Sequence, residues 1–247
     1  MRWPRRAGIG ALVPVDTIEI QRVVDIEDDN WWYRERRGII ARELRRIGVP
    51  GQAVDVGAAG GGNTRVLMEH GWQAVAIDSA PAAVDLCLAQ GIVAYLGDAR
   101  FLPLPSATYD LALALNVLEH VDDDRAAAGE IARVLRPGGT ALVAVPCDME
   151  LWSAHDVALG RVRRYARADL AGVLEGAGLR VERLWNCNVL LRPLVRWRRH
   201  RARYCEDMAD VPPVVNELLG LVGAVERRLP VRSWPGVTLF ARAYRPG

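Results

Sequence analysis

Residues 53–63 read AVDVGAAGGGN, and this stretch decides the fold of the chain. A short β-forming run is followed by a glycine-rich turn and then by residues with helical spacing. Glycine lets the backbone approach a ligand closely, and the start of the following helix offers free N–H groups to it. The stretch therefore predicts a strand, a ligand-binding turn and a helix.

Strand and helix patterns alternate outward from this turn. Short apolar runs predict strands at residues 53–56, 74–77, 92–96, 111–115, 141–145, 181–187 and 236–243. Helical spacing predicts helices at residues 31–47, 64–69, 80–89, 123–135 and 168–176. Asn30 can cap the first helix, and the segment 136–139 is a stop and turn into the next strand. Strands that are apolar on both faces predict a parallel sheet covered by helices. The roughly 45 residues before the last strand predict a helical insertion.

The composition excludes several mechanisms. The chain has 247 residues and a net charge of +2, and its 32 basic residues are all arginine. Without lysine there is no Schiff-base lysine, no pyridoxal-phosphate anchor and no Walker-A or protein-kinase lysine. A net charge this small gives no support to general nucleic-acid binding.

The cysteines and the N-terminal residues give a prediction of the cellular location of the chain. Four cysteines are scattered without a C-x-x-C pair, which predicts reduced thiols of a cytoplasmic protein and no zinc site. Residues 1–15 faintly imitate a signal peptide, but they contain Pro14 and no small-x-small cleavage pattern. No apolar run reaches the ~20 residues that a membrane-spanning helix needs. We therefore expect a cytoplasmic chain without a leader or a metal centre.

Two acidic residues at strand ends narrow the choice of possible ligands. Asp78 ends the second predicted strand, 21 residues after Gly57, where an acid can accept the hydroxyls of a ribose. Asp98 follows the third strand, and with the amide of Ala99 it could bind an adenine ring. The dinucleotide fingerprint requires glycine where Ala59 stands, so NAD binding is disfavoured.

Together these motifs resemble the class I S-adenosylmethionine-dependent methyltransferases. Residues 52–146 carry the whole series, namely D-x-G-x-G-x-G at 55–61 with Ala59 for one glycine, Asp78, Asp98, N-x-L-E-H-V at 116–121 and L-R-P-G-G at 135–139. The resemblance implies a Rossmann-like seven-stranded sheet, its last strand antiparallel, with helices on both faces. It also implies that S-adenosyl-L-methionine lies over the carboxyl ends of the first four strands. The implied cofactor-binding residues are Gly57, Ala58, Ala59, Gly61, Asp78, Ser79, Asp98, Ala99 and Asn116.

A basic residue in the first helix is a further candidate for the cofactor site. The helix opens with Trp31-Trp32-Tyr33 and reaches Arg36 one turn later. A similar W-W-F-x-x-R occurs in a bacterial subgroup of these methyltransferases, which implies that Arg36 forms a fork to the methionine carboxylate. The alternative is an exposed ion pair.

The segment after the fifth strand resembles the same subgroup. Residues 151–156 and 160–165 match its L-W-S-x-H-D…G-H-x-R-R-Y pattern, with Arg161 in place of the second histidine. We expect His155 to be a general base oriented by Asp156. The alternative is a structural His–Asp–Arg cluster that shapes the pocket.

Arginines crowd residues 192–203 around a tryptophan. The ordinary explanation is a solvated basic face, and the alternative is attraction to an anionic membrane surface or a phosphate-bearing substrate. Residues 1–247 are predicted to form one domain, with a helical cap at 1–50, a cofactor-binding core at 51–146 and substrate-side insertions at 147–166 and 189–233.

The resemblance implies methyl transfer to an O or N nucleophile of a small-molecule, sugar or lipid-linked acceptor. Two alternatives remain open. One is a non-catalytic S-adenosylmethionine-binding protein of the same fold. The other, less favoured, is an NAD-dependent oxidoreductase.

Overall fold

A computed structural model describes residues 26, 27, 29–201 and 211–247. The N-terminal segment 1–15, Cys205 and part of the basic run 192–203 lie outside the described residues, as does much of the predicted cap at 1–50. Cys87, Cys147 and Cys187 are free thiols, and burial raises the pKa of each.

The described residues form one seven-stranded sheet. Its strands are β1 (Gln52–Val56), β2 (Gln73–Asp78), β3 (Ala94–Leu96), β4 (Tyr109–Leu115), β5 (Leu135–Pro146), β6 (Arg180–Cys187) and β7 (Thr238–Tyr244). They are ordered β3-β2-β1-β4-β5-β7-β6. Strands β1 to β5 run parallel, and β7 is antiparallel to both of its neighbours. The predicted fold class, with its antiparallel last strand, is confirmed.

Helices connect the strands and flank the sheet. They are α1 (Trp31–Ile47), α2 (Gly62–Glu69), α3 (Pro81–Ala89), α4 (Asp124–Val134), α5 (Ala154–Ala158), α6 (Arg167–Gly176), α7 (Arg192–Arg201) and α8 (Pro213–Glu226). The side chain of Asn30 caps α1 as expected, since it accepts a hydrogen bond from the Trp32 amide at 2.9 Å. Helices α7 and α8 are the helical insertion that the long interval before β7 predicts.

Both faces of the central strands are buried. In β4, Ala112 and Ala114 pack in one cluster with Ile131 of α4 and Leu170 of α6. Their neighbour Leu113 belongs to a second cluster, which holds apolar residues of α1 and α2 on the opposite face. This alternation explains why the strands lack a polar face, and it leaves the strand ends as the place for polar chemistry.

Most strand and helix boundaries differ from the prediction by one or two residues, but the turn expected at 136–139 is placed differently. The helix expected to run to Leu135 ends at Val134, and the expected turn at 136–139 lies inside β5. Leu135 already pairs with Tyr109, and the register shifts before Leu111 pairs with Thr140. The glycines therefore form an irregularity within the strand, where Gly138 has a φ of 80°.

No helix in the described ranges is long and apolar enough to cross a bilayer.

Candidate functional site

The glycine-rich turn lies at the carboxyl edge of the sheet, between β1 and α2. The amides of Gly57 and Ala58 both donate to the Ile77 carbonyl, at 2.8 and 3.1 Å. Gly57 has a φ of 72°, and a Cβ added there would lie 2.5 Å from the side chain of Val117. Only glycine combines this backbone conformation with such a close approach, so both the conformation of the turn and its packing against Val117 require Gly57.

Asp78 ties the turn to the end of β2. Its Oδ2 accepts from the Ala59 amide and its Oδ1 from the Ala80 amide, each at 2.9 Å. Ala59 adopts a φ of 47°, in the left-handed region that favours glycine. The Ala59 methyl group is accommodated, and the hydrogen bond from the Ala59 amide to Asp78 stabilises this backbone conformation. Ser79 lies next to Asp78 and is exposed.

Asp98 follows β3 at the same edge, but it already has a partner. Its carboxylate accepts from the Arg100 guanidinium and also from the Arg100 amide, the latter at 2.8 Å. These hydrogen bonds hold the pKa of Asp98 below its ordinary value. The Ala99 amide donates to no partner in the part of the chain that the structure describes. Arg100 had no role in the sequence prediction, although it stands two residues from Asp98.

Asn116 marks the end of β4 and adopts a φ of 63°. Its Nδ2 donates to Glu119 Oε1 at 2.8 Å. Glu119 is fully buried, and its second oxygen has no hydrogen-bond partner among the described residues. Sequence reasoning quoted Glu119 within a motif but assigned it no role. The structure makes it the group that orients Asn116.

Asp55 of β1 stabilises the glycine-rich turn by joining β1 to α2. It is fully buried, and its Oδ2 accepts from the Thr64 hydroxyl of α2 at 2.7 Å. Its Oδ1 has no partner within the described ranges. Burial raises the pKa of Asp55 to about 7, although the Thr64 hydrogen bond and the Arg36 charge oppose the shift. The acid is therefore poised between its neutral and charged forms near neutral pH.

Arg36 of α1 faces this group of acids. Burial lowers the pKa of its guanidinium, which lies within electrostatic reach of Asp55, Glu119 and Glu27. Its guanidinium carbon lies 5.0 Å from the ring centroid of Tyr33. Among described residues Arg36 makes no hydrogen bond or ion pair, so its fork of N–H groups is available to a ligand. The structure therefore does not show Arg36 in the exposed ion pair that was the alternative interpretation of the sequence.

Glu27 is a residue of the cap that the sequence analysis missed. It is buried, its carboxylate lies where a side chain on Gly62 would project, and it accepts from Arg65 at 2.7 Å. The cap therefore brings an acid to the N-terminal end of α2. The sequence around Glu27 has no motif or periodicity that would identify this residue as part of the site.

Asp156 is the centre of an ion cluster on the acceptor side, meaning the side of the site where the sequence predicts acceptor binding. Its fully buried carboxylate accepts from Arg164 at 2.7 Å, from Arg161 at 3.0 Å and from Arg199 at 3.1 Å. Burial alone would raise the pKa of Asp156, but these hydrogen bonds and charges outweigh burial and hold the pKa below its ordinary value. The arginines come from the 160–165 segment and from α7, so Asp156 joins the two insertions.

His155 lies beside this cluster at the start of α5. Burial and the positive charges of Arg199 and Arg161 lower the pKa of His155 to about 4. The imidazole is therefore neutral at physiological pH and is a weaker base than an ordinary histidine. The Val162 amide donates to the Glu119 carbonyl at 2.8 Å, which joins this segment to the exit of β4. The roles of His155 and Asp156 in catalysis stay predictions.

The other arginines of the segment are engaged in the fold. Arg163 binds Asp124 at 2.6 Å, and Arg164 donates to the Cys147 carbonyl as well as to Asp156. In the described ranges, no group of three or more His, Cys, Asp or Glu side chains is placed to hold a metal ion.

Known proteins match this arrangement. Residues 54–143 match the family model described as Methyltransferase domain. Over 161 residues the chain is 27% identical to a Mycolicibacterium smegmatis protein named "Probable S-adenosylmethionine-dependent methyltransferase", covering 64% of this chain and 62% of that protein. Haemonchus contortus phosphoethanolamine N-methyltransferase 2, solved with S-adenosyl-L-methionine, superposes with a TM-score of 0.66 at 16% identity, over 97% of this chain and 61% of the other. The 4+2 cyclase SpnF superposes with a TM-score of 0.55 at 18% identity, over 83% and 80%.

Residues 54–143 therefore match a methyltransferase domain, in agreement with the resemblance to the class I S-adenosylmethionine-dependent family. The two structural neighbours support the fold alone, because their sequence identities are low. The chain spans 62% of the length of the Mycolicibacterium relative. The site residues and the domain boundaries stay predictions.

The Asp156 cluster should dominate the stability of the acceptor side. We expect Asp156→Asn to lower the free energy of unfolding by about 3–5 kcal/mol, since three guanidinium groups would lose their buried counter-charge. Urea unfolding at pH 7 measures the change. Asp85→Asn is the matched control, because Asp85 is exposed on α3. A loss below about 1 kcal/mol would show that Asp156 does not anchor the cluster.

Asp55 should give the unfolding free energy an opposite pH dependence from that of an ion-paired acid. Its folded pKa of about 7 lies above the ~3.9 of an unfolded aspartate, so the folded state holds the extra proton between these values. Its contribution is therefore present at low pH and is lost as pH rises. Relative to Asp55→Asn, wild-type protein without ligand should lose stability by up to about 1.4 kcal/mol per pH unit across this range. A flat difference curve would contradict the buried, proton-holding carboxyl.

Proposed function

We propose that this chain is an S-adenosylmethionine-dependent methyltransferase acting on an O or N nucleophile of a small molecule. The observation that carries the proposal is the bond from Asp78 to the Ala59 amide. It fixes the glycine turn and the ribose acid as one unit at the carboxyl edge, where ligands of open α/β sheets bind. A sugar or a lipid-linked acceptor falls within the same proposal.

The residues at this edge fit the cofactor in chemical type. Gly57 lets the Val117 side chain pack directly against the turn. Asp78 offers carboxylate oxygens to ribose hydroxyls, and Ala99 offers a free amide to an adenine edge. Arg36 offers a guanidinium fork, which suits a carboxylate. S-adenosyl-L-methionine, when bound, supplies an activated methyl group on a sulfonium. The assigned positions Gly57, Ala58, Ala59, Gly61, Asp78, Ser79, Asp98, Ala99 and Asn116 form its proposed cradle.

The work left to the protein is positioning and exclusion of water. In-line transfer requires the acceptor nucleophile, the methyl carbon and the sulfur to be collinear in a dry site. The segment 151–165 leaves β5 at the same edge, and Val162 fastens it to Glu119. His155 is neutral there and receives the proton of a hydroxyl acceptor. Asp156 acts by holding this segment through its arginines, and so it is a positioning residue.

A non-catalytic role on the same fold is the second candidate. Its support is the similarity to a protein described as a cyclase, which has this fold and a different named reaction. The residues at the edge would then bind S-adenosylmethionine without transferring its methyl group. An NAD-dependent oxidoreductase is disfavoured by Ala59, whose side chain stands where the dinucleotide turn requires glycine. The cytoplasmic location also stays a prediction.

The cofactor assignment is tested by titration with S-adenosylhomocysteine. Wild-type protein should bind it and should not bind NAD. We expect Asp78→Ala to raise the Kd by about 10- to 100-fold, because the variant loses acceptors for both the ribose and the Ala59 amide. Asp85→Ala is the matched control on α3. Binding of NAD in place of S-adenosylhomocysteine would overturn the assignment, and binding with no turnover across acceptors would favour the non-catalytic role.

The acceptor-side assignment is tested with His155→Gln. With a hydroxyl acceptor, kcat should fall by about 10²- to 10⁴-fold while the Kd for S-adenosylhomocysteine is unchanged. Because the pKa of His155 is about 4, wild-type kcat/KM should show no acid limb between pH 6 and pH 7 from this residue. His70→Gln is the control, as His70 Nδ1 lies 2.8 Å from the Val66 carbonyl, away from the segment. Full activity of His155→Gln on a hydroxyl acceptor would remove the base assignment.

A further inference from the structure

Arg161 lies between two buried carboxylates that come from different parts of the site. Its Nη1 is 3.0 Å from Asp156 Oδ1, and its Nε is 3.9 Å from Glu119 Oε1. Both carboxylates are fully buried, and the side chain of Arg161 is 14% exposed. Asp156 belongs to the segment 151–165, which we call the acceptor segment, whereas Glu119 follows β4. One guanidinium therefore contacts both sides of the site.

Glu119 needs a cation near it, because a buried carboxylate without a counter-charge is strongly unfavourable. Its Oε1 accepts from the neutral amide of Asn116 at 2.8 Å, and His120 Nε2 lies 3.9 Å away. Arg36 is within electrostatic reach of Glu119, but the proposed function assigns the Arg36 guanidinium to the methionine carboxylate. Arg161 is then the guanidinium that stays with Glu119.

The two ends of the Arg161 contact differ in kind. Asp156 has two further arginine partners, Arg164 at 2.7 Å and Arg199 at 3.1 Å, so it keeps counter-charges without Arg161. At the other end, 3.9 Å exceeds hydrogen-bond length, and Arg161 Nε has no hydrogen-bond partner in the part of the chain that the structure describes. The contact with Glu119 is therefore an attraction of charges without a hydrogen bond.

The backbone beside Arg161 follows the same course. The Val162 amide donates to the Glu119 carbonyl at 2.8 Å, and the Tyr165 hydroxyl donates to the Leu118 carbonyl at 3.2 Å. Arg161 thus stands where the acceptor segment meets the residues that follow β4. Loss of its charge should loosen this junction while the Asp156 cluster remains.

His155 reports on the same contact. The charged groups that act on the imidazole are Arg199 of α7, Arg161 and Arg164 of the acceptor segment, and Asp156 of its own helix. The arginines lower the pKa of His155 and Asp156 opposes them. A change in the charge of Arg161 is therefore visible at His155 without any turnover.

We propose that Arg161 is a positioning residue, which holds the acceptor segment against the exit of β4 by bridging Asp156 and Glu119. It thereby sets where His155 stands relative to the cofactor residues that follow β4. This inference rests on the proposed function, because that function defines the cofactor and acceptor sides.

The first test is an NMR titration of the His155 ring in the full chain without ligand, with His155→Gln identifying the resonance. We expect Arg161→Gln to raise the pKa from about 4 by roughly 0.5 or more, because one positive charge is lost. Arg161→Lys keeps the charge and should titrate like wild-type. Arg163→Gln is the control, since Arg163 is paired with Asp124 at 2.6 Å. An unchanged pKa in Arg161→Gln, or an equal rise in Arg163→Gln, would overturn the proposal.

The second test is a double-mutant cycle on hydrogen exchange of the Val162 amide. Arg161→Gln should accelerate exchange by about tenfold, because the junction opens more often. Combined with Glu119→Gln, the acceleration should be at least about threefold smaller than the product of the single effects. A simple product would show that Arg161 and Glu119 act independently, against the bridge. Glu119→Gln alone should also accelerate exchange, and this decides the matter if Arg161→Gln does not fold.

Both measurements are made without cofactor or acceptor. Failure of wild-type protein to bind S-adenosylhomocysteine would sink the proposed function and leave the titration and exchange results as they are. Normal binding together with an unchanged titration and additive exchange rates would remove only the role of Arg161.

Discussion

Burial of the central strands on both faces is the constraint on which the rest of the molecule depends. Neighbouring residues of β4 pack in separate clusters on the two sides of the sheet, and most members of both clusters are aliphatic. Because the strands are buried on both faces, polar side chains reach the surface of the sheet mainly where the parallel strands end. Asp55, Asp78, Asn116 and Glu119 therefore crowd the same carboxyl edge, and each must find hydrogen bonds within a small volume.

The two sides of that edge have opposite electrostatic character. On the cofactor side, three acids face the single guanidinium of Arg36, and one of them, Asp55, has a strongly raised pKa. On the acceptor side, three arginines surround the single carboxylate of Asp156, and their charges help to lower the pKa of His155. The pKa of the acid Asp55 is thus raised and the pKa of the base His155 is lowered, each away from its ordinary value. Such divergence from ordinary values is common where chemistry takes place.

The local parts of the site were predictable from the sequence, and the long-range parts were not. The strand, the glycine turn and the acid that ends β2 follow from patterns of a few residues, so Gly57, Ala59 and Asp78 could be placed at one edge in advance. The contact between Arg199 and Asp156 could not be placed, because Arg199 lies 43 positions away and its side chain could equally face solvent. The segment did allow a His–Asp–Arg cluster as an alternative, and the observed contacts of Asp156 agree with that alternative. The ion pair between Asp98 and Arg100 was predictable in principle, because the two residues lie only two positions apart.

The Asp156 cluster also has a mechanical consequence. One carboxylate fastens the end of α7, through Arg199, to the 160–165 segment, through Arg161 and Arg164. A bond shared in this way makes the ordering of both segments a single cooperative event, since neither can detach without leaving charges of the other unpaired. Any displacement of α7 that separates Arg199 from Asp156 would therefore leave this buried carboxylate with fewer of its counter-charges.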